Sequence, residues 1–335
     1  MTYILPALIY LYCIALVIYV IWVRLRWPRP WWLHAAAPFA LWFFGPILLL
    51  PILALGLRAI PAMATSLVAV MLYLWHFGFG RRRGGSAVPP YLTVMTANLL
   101  KRNTVRLDEI VDTILMEGPD IVALPEVKRE HIRVIRRRLS HIYSHMELIS
   151  GVDCQGMGVL SKYPFLSAEN HLVTHGANPT QIIRVRIEGR SLAIVNVHPR
   201  IPYPLTRRFL GIAIPYDIVI VERRTDIEGI LSLTDDLGGS MVVLGDFNLT
   251  DQDEAYAFFT ERWRDVYREA KRGPALTYPL GAEFFGMHPP FPLFGIDHIL
   301  CSHDLCPIRA HIGIMPGSDH CYMVATIGRA DSPRK

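Results

Sequence analysis

All 29 Asp and Glu residues of this 335-residue chain lie beyond residue 100. A hundred residues without one acid do not make an ordinary water-facing surface, so the N-terminal part must meet a different solvent. Seven of the 34 Lys and Arg (Arg24, Arg26, Arg29, Arg58, Arg81, Arg82, Arg83) precede Gly84, which leaves 27 bases against 29 acids in the rest. The C-terminal part is thus near −2, and the whole-chain charge of +5 misleads. Two unlike objects are joined end to end, and about 250 residues after Gly84 suffice for one large globular domain.

Residues 1–83 read as an all-α membrane anchor of about three helices. Residues 3–23 are uncharged and end at Arg24 and Arg26. At about 1.5 Å per residue, that run crosses a hydrocarbon core of about 30 Å. A secretory signal peptide would carry positive charge before its apolar run, and Met1-Thr2 carries none on a side chain. Residues 31–57 form a second span, opened by Trp31 and Trp32 and interrupted by Pro38, Pro46 and Pro51. Lipid-buried helices tolerate such kinks. Residues 59–80 form a third, stopped by Arg81-Arg82-Arg83. With three spans, the two arginine-rich flanks share one side, so the positive-inside rule expects a multi-pass protein of the cell membrane with its C-terminal domain in the cytoplasm. Residues 84–90 (GGSAVPP) read as a linker, and 91–330 as the catalytic domain. Cys154, Cys301, Cys306 and Cys321 lack paired zinc-site spacing and read as reduced thiols, with two disulfides the alternative on the far side of the membrane.

Beyond the linker, short buried strands alternate with helical spacing, and each strand runs into a polar residue. Residues 91–97 lead to Asn98, 121–124 to Glu126, 193–197 to His198, and 241–244 to Asp246 and Asn248. Ile296-Asp297-His298 and Ser318-Asp319-His320 follow. Rigid strands hold side chains where loops cannot, so such a series expects a site along one rim of a sheet.

These blocks resemble the endonuclease/exonuclease/phosphatase superfamily, the metal-dependent phosphoesterases that include deoxyribonuclease I-like nucleases, inositol phosphatases and sphingomyelinases. The resemblance covers residues 92–327 and rests on seven blocks in order: 96–98 (TAN), 119–126 (PDIVALPE), 158–164 (GVLSKYP), 196–198 (NVH), 245–248 (GDFN), 295–298 (GIDH) and 318–320 (SDH). Pro125 departs from the family's more usual Gln before the acidic ligand, which puts the local loop geometry in question. The resemblance implies an α/β fold, a four-layer sandwich with two mixed β-sheets. It also implies a site with magnesium, or manganese as the alternative, on Glu126 with Asn98 and Asp319 nearby. Asp246 would orient or deprotonate the attacking water, and Asn248 would hold a phosphoryl oxygen. His198 and His320 would donate to the phosphate, with His320 also able to serve as base, and Asp297 would fix the His320 tautomer. His298 would support Asp297 structurally, and His131 matches no block. This is the donor set that in-line hydrolysis of a phosphate ester needs.

Two apolar stretches, residues 209–221 and 284–294, adjoin catalytic blocks and would open onto the site. Beside a bilayer they favour a phosphorylated lipid, a phosphate ester or pyrophosphate, as substrate. That layout resembles the membrane-anchored bacterial members associated with glycopeptide resistance. Nucleic acid is the disfavoured partner, because sequence-independent binding needs clustered base and the domain is near −2. The one basic run, residues 128–138 (KREHIRVIRRR), reads as a single solvated or headgroup-facing helix. A membrane-tethered nuclease is the alternative, and an inactive binding module that keeps the fold is a third reading. No protein partner is implied.

Overall fold

The computed structural model describes residues 4–26, 29–79, 88–151, 154–209, 212–219, 221–284, 286 and 288–329. Of the expected linker, residues 84–87 lie outside this set, as do Arg81 to Arg83. The chain opens with α1 (Ile4–Leu25), 22 residues free of charge as far as Arg24. The 26 residues from Trp31 to Gly56 are a broken helix: α2 (Trp31–Ala36), a 3-10 turn (Ala37–Phe39), α3 (Ala40–Phe44), a second 3-10 turn (Gly45–Leu49) and α4 (Leu50–Gly56). Pro38, Pro46 and Pro51 each stand in the first turn of a new piece, where the missing amide breaks the preceding ladder at least cost. Helix α5 (Ile60–His76) has 17 residues, fewer than the expected 59–80. At about 1.5 Å per residue it falls short of a core of about 30 Å. Among the described residues two helical stretches, not three, are therefore long and apolar enough to cross a membrane.

Ile9, Cys13, Leu16 and Val20, spaced four, three and four apart, face inward with Ile47, Ala54, Ala69 and Tyr73. Outward stand Ile4, Leu8, Leu11, Ile14, Ile18, Leu49 and Ile52, all exposed. An apolar interior inside an apolar exterior is the pattern of helices whose solvent is lipid.

The remainder is β1 (Pro90–Thr96), α6 (Leu107–Glu117), β2 (Ile121–Pro125), α7 (Arg129–Leu139), β3 (His145–Ile149), β4 (Met157–Ser161), β5 (Phe165–His171), β6 (Thr180–Ile187), β7 (Arg190–Val197), β8 (Tyr203–Phe209), β9 (Ile212–Val219), α8 (Val221–Asp235), β10 (Met241–Asp246), α9 (Tyr256–Arg262), β11 (Arg264–Asp265), α10 (Val266–Ala270), β12 (Asp297–Cys301), β13 (Leu305–Ile314) and β14 (Cys321–Arg329). Two mixed six-stranded sheets form, β13-β14-β1-β2-β4-β3 and β11-β12-β10-β7-β6-β5. Val94, Ile121, Ala123 and Val159 of the first meet Ile183, Ile194, Val242 and Leu244 of the second in one core. Ile110 and Val111 of α6 with Ile135 of α7 cover the outside of the first sheet, and Ile227 and Ile230 of α8 with Phe259 of α9 cover the second. This is the four-layer α/β sandwich expected, because strands buried on both faces need a helix layer outside each sheet.

The stretch 209–221 is not one loop. It divides into the end of β8, strand β9 and the start of α8, and β8 and β9 pair as a separate hairpin. The five cysteines are free thiols.

Candidate active site

Register brings the polar residues to one rim. In the second sheet Asp246 pairs with Asp297 across β10 and β12, and Gly245 lies beside Val197 of β7, one residue before His198. In the first sheet β1 and β2 run parallel, so Asn98 and Glu126 leave at the same end, while antiparallel β14 starts there just after His320. Gly245 makes the close approach possible. It has φ +144°, and a Cβ there would stand 2.1 Å from the Val197 carbonyl oxygen.

Asn98 is fully buried and donates from Nδ2 to Glu126 Oε1 at 3.1 Å and to Asp246 Oδ2 at 3.0 Å. Its Oδ1 accepts from the Leu100 amide, and Glu126 Oε2 accepts from the Lys101 amide, both at 2.9 Å. Glu126 holds φ +62°, an unusual backbone state for a side chain of this kind. Pro125 does not displace the carboxylate, because the proline ends β2 and its carbonyl accepts from the Leu99 amide at 3.1 Å.

His320 sits between two carboxylates, with Nδ1 2.9 Å from Asp297 Oδ2 and Nε2 3.7 Å from Asp246 Oδ2. Burial disfavours its charge, but Asp297 and then Asp246 outweigh that and push the imidazole up to about 10. As an imidazolium it donates and cannot accept a proton, which favours the donor role over the base role. His198 Nε2 lies 3.6 Å from Asp246 Oδ2. Asp246 Oδ1 accepts from the Asn248 amide at 3.0 Å, and Asn248 Nδ2 donates to the Pro199 carbonyl at 2.9 Å. One of its two amide hydrogens is therefore engaged by the backbone, and the other is what a phosphoryl oxygen could use.

The expected support of Asp297 by His298 is not found. His298 Nε2 donates to the Leu249 carbonyl at 3.0 Å and Nδ1 faces Asp265 at 3.6 Å, because alternate residues of β12 point to opposite faces of the sheet. His131 is a packing residue, engaged with Lys128 and Asn103. Ser318 of the last block and two residues that no spacing singled out, Thr277 and Tyr278, complete the wall. Ser318 Oγ donates to the Asn98 carbonyl at 2.7 Å and accepts from the His320 amide at 3.1 Å. Thr277 Oγ1 accepts from the Asp297 amide at 3.3 Å, and the Tyr278 ring lies 4.7 Å from that of His320.

Among the described residues of this rim, two groups of side chains could hold a cation. Asp246, Asp297 and His320 offer ligand atoms within 4.8 Å of one another. A protonated imidazole has no lone pair to give, so this trio reads as a hydrogen-bonded chain. Glu126, Asn98 and Asp319 fit better. Burial, and then the fields of Glu126 and Asp246, push the Asp319 carboxyl above its ordinary range. Its Oδ1 is buried and has no hydrogen-bond partner among the described residues. Crowded carboxylates with an unsatisfied oxygen suit a hard divalent ion such as magnesium or manganese, which favours oxygen donors.

Residues 95–320 match the endonuclease/exonuclease/phosphatase family. The chain belongs to that family. Its members cleave phosphoester bonds with a divalent metal, and the chain is such a hydrolase. TDP2 from C. elegans shares the fold with a TM-score of 0.57 at 16% identity, over 71% of this chain and 75% of that one. The family member from Bacteroides vulgatus superposes with 0.54 at 18% identity over 71% and 98%, and that from Beutenbergia cavernae with 0.54 at 17% over 74% of each chain. No curated protein matches the sequence.

Proposed function

We propose that this family member is a membrane-anchored, magnesium-dependent phosphoesterase that hydrolyses a phosphate ester or pyrophosphate of a lipid. The observation that carries the reading is that both segments flanking the catalytic rim rest on the N-terminal helices. From the segment 284–294, Phe294 lies 4.9 Å from Phe39 and Phe291 lies 5.8 Å from Trp42, whose Nε1 donates to the Leu293 carbonyl at 2.9 Å. On the other flank β9 runs beside α2. Rings at Phe39, Phe284, Tyr278 and His320 follow one another at 6.2, 6.5 and 4.7 Å, an aromatic path from the helices to the site. An amphiphile with its phosphate at the rim would find apolar surface immediately beside it.

Glu126, with Asn98 and Asp319, would hold the divalent ion, and a bound ion would supply positive charge against the phosphate. Asp246 orients the attacking water and takes its proton, its carboxylate fixed at the rim by the Asn98 and Asn248 donors and facing His198. His198, Asn248 and His320 supply hydrogen bonds to the developing phosphoryl charge, and Asp297 keeps His320 protonated and oriented. The helices lie in the cell membrane with the domain on the cytoplasmic side: Arg26 pairs with Glu261 and Arg29 donates to the Gln252 carbonyl, so the arginines after α1 stand on the domain's side, and the positive-inside rule makes that side the cytoplasm.

A membrane-tethered nuclease is the second reading, favoured by the TDP2-like fold, since a D. rerio TDP2 of TM-score 0.54 is complexed with single-strand DNA product. Charge argues against it. In the basic run, Arg138 pairs with Asp112 at 2.7 Å and with Asp108 at 3.1 Å, and Arg137 meets Asp108 at 3.4 Å. Arginines already paired within the outer helix layer release few counterions from a nucleic acid. The test is hydrolysis by the full chain in vesicles carrying lipid phosphate monoesters, diesters or pyrophosphates, read as free phosphate from the monoesters and pyrophosphates and as the released phosphomonoester and alcohol from the diesters, with magnesium restored after chelation. Turnover of none of them overturns the lipid reading.

A further inference from the structure

Three groups from the N-terminal helices converge on one glutamine of the catalytic domain. Gln252 Oε1 accepts from Tyr19 Oη at 3.0 Å and from His76 Nε2 at 2.9 Å, and the Gln252 carbonyl accepts from Arg29 Nη1 at 2.6 Å. Tyr19 belongs to α1, His76 ends α5, and Arg29 lies between α1 and α2. Gln252 is 4% exposed, so water does not replace these partners if they are lost. Its Nε2 donates to Asp251 Oδ1 at 3.0 Å, and Asp251 pairs with Arg268 at 3.1 Å.

Gln252 lies six residues after Asp246 and four after Asn248. The intervening loop is held from the domain side as well. Arg223 donates to the Asn248 carbonyl at 2.8 Å and pairs with Asp253 at 2.8 Å, and His298 donates to the Leu249 carbonyl at 3.0 Å. The loop that carries two site residues is therefore clamped between its own domain and the helices. A tether alone would need no buried polar contact, since the packing of Phe39 on Phe294 already joins the two parts. Three convergent bonds on one buried glutamine select one geometry, although Arg29 Nε and His76 Nδ1 have no partner among the described residues, and removal of the shared acceptor releases it.

We infer that the N-terminal helices, through Tyr19, Arg29 and His76, set the geometry of the loop 246–253, so that Gln252 is a positioning residue for hydrolysis and the anchor is part of the catalytic unit. The kinetic side of this inference rests on the phosphoesterase reading above; the structural side does not. Tyr19→Phe removes one hydroxyl, and Gln252→Leu removes the shared acceptor at similar size. Both variants and their combination are compared with the parent as full chains in detergent, with magnesium and bis(p-nitrophenyl) phosphate, a short soluble diester that needs no bilayer. The expected result is a kcat lower by about tenfold in each variant, the scale of a small misplacement of reacting groups, with KM within about twofold. The double variant should be no worse than Gln252→Leu, because both break one network. Amide hydrogen exchange at residues 247–253 should quicken by about tenfold or more while β1 and β10 stay protected. Folded variants with unchanged kcat and unchanged exchange at 247–253 would overturn the inference, and so would additive losses with exchange raised equally throughout the domain. If the parent cleaves no phosphoester, the proposed activity fails, and exchange alone decides the coupling: selective loss of protection at 247–253 upholds it and intact protection overturns it.

Discussion

Asp246 stands opposite Asp297 in the antiparallel register of β10 and β12, and His320 lies between the two carboxylates. One ladder pair thus sets the charge state of a histidine from a distant part of the chain. The arrangement explains why the rim holds buried charge at all, since each carboxylate there has a cationic or hydrogen-bonding neighbour or an oxygen left for an ion.

The first consequence is a titration. Burial opposes charge on His320, but Asp297 and Asp246 raise it to about 10, above the ordinary value of about 6.5. The metal-free protein should keep this imidazolium through neutral pH. Its contribution to stability is fully present below about 6.5 and is lost as pH rises through about 10. Asp297→Asn should bring the histidine down. Imidazole nitrogen shifts in a labelled sample read this directly, and a parent His320 titrating near 6.5 contradicts it.

Metal dependence follows from Glu126. Glu126→Gln keeps the size and an acceptor for the Lys101 amide but loses the charge that the ion needs. Turnover should fall by about 10² or more with the melting temperature little changed, and chelation should act likewise and reversibly. Full activity in excess chelator would refute this part of the mechanism.

Asp246→Asn tests the water-activating group. Substrate binding should survive while kcat drops by about 10², the scale for loss of a general base. A kcat within about twofold of the parent assigns the role elsewhere.

Much of this site was legible because its residues directly follow buried strands. The run 241–246 (MVVLGD) announces both a central strand and the carboxylate at its end, and residues 121–126 do the same for Glu126. Thr277, Tyr278 and Gln252 were not legible. They come from irregular backbone, where no period links a side chain to a face, and the partners that tie them to Asp297, to His320 and to the N-terminal helices lie 20 to 233 residues away. The second helical stretch was legible in length but not in form, because its prolines restart the helix three times instead of kinking it once. The apolar segment 209–221 misled by composition, since a strand end, a second strand and a helix start share the same residues. Ile220 and Phe285, apolar residues of the two flanking segments, lie outside the described residues, whereas Phe291 is half exposed against Trp42.

A stability prediction concerns Gly245. An alanine there would hold φ near +144° and place its Cβ 2.1 Å from the Val197 carbonyl oxygen. Gly245→Ala should destabilise the domain by about 3 kcal/mol, because neither strand can move without breaking the ladder between β7 and β10. Chemical denaturation measures it, and a loss under about 0.5 kcal/mol would show that the two strands are not held as closely as described.

The central claim is that the site serves a lipid phosphate, and one comparison tests it most directly: hydrolysis by the full chain of a long-chain lipid phosphate, its short-chain analogue, and single- and double-stranded DNA, each at two salt concentrations. Burial of a chain contributes about 0.8 kcal/mol per methylene, so the long-chain lipid should exceed the short analogue in kcat/KM by orders of magnitude. Phe291→Ser should lower the long-chain rate and leave the short ester nearly untouched. Efficient DNA cleavage that falls steeply with salt, without lipid turnover, would contradict the account.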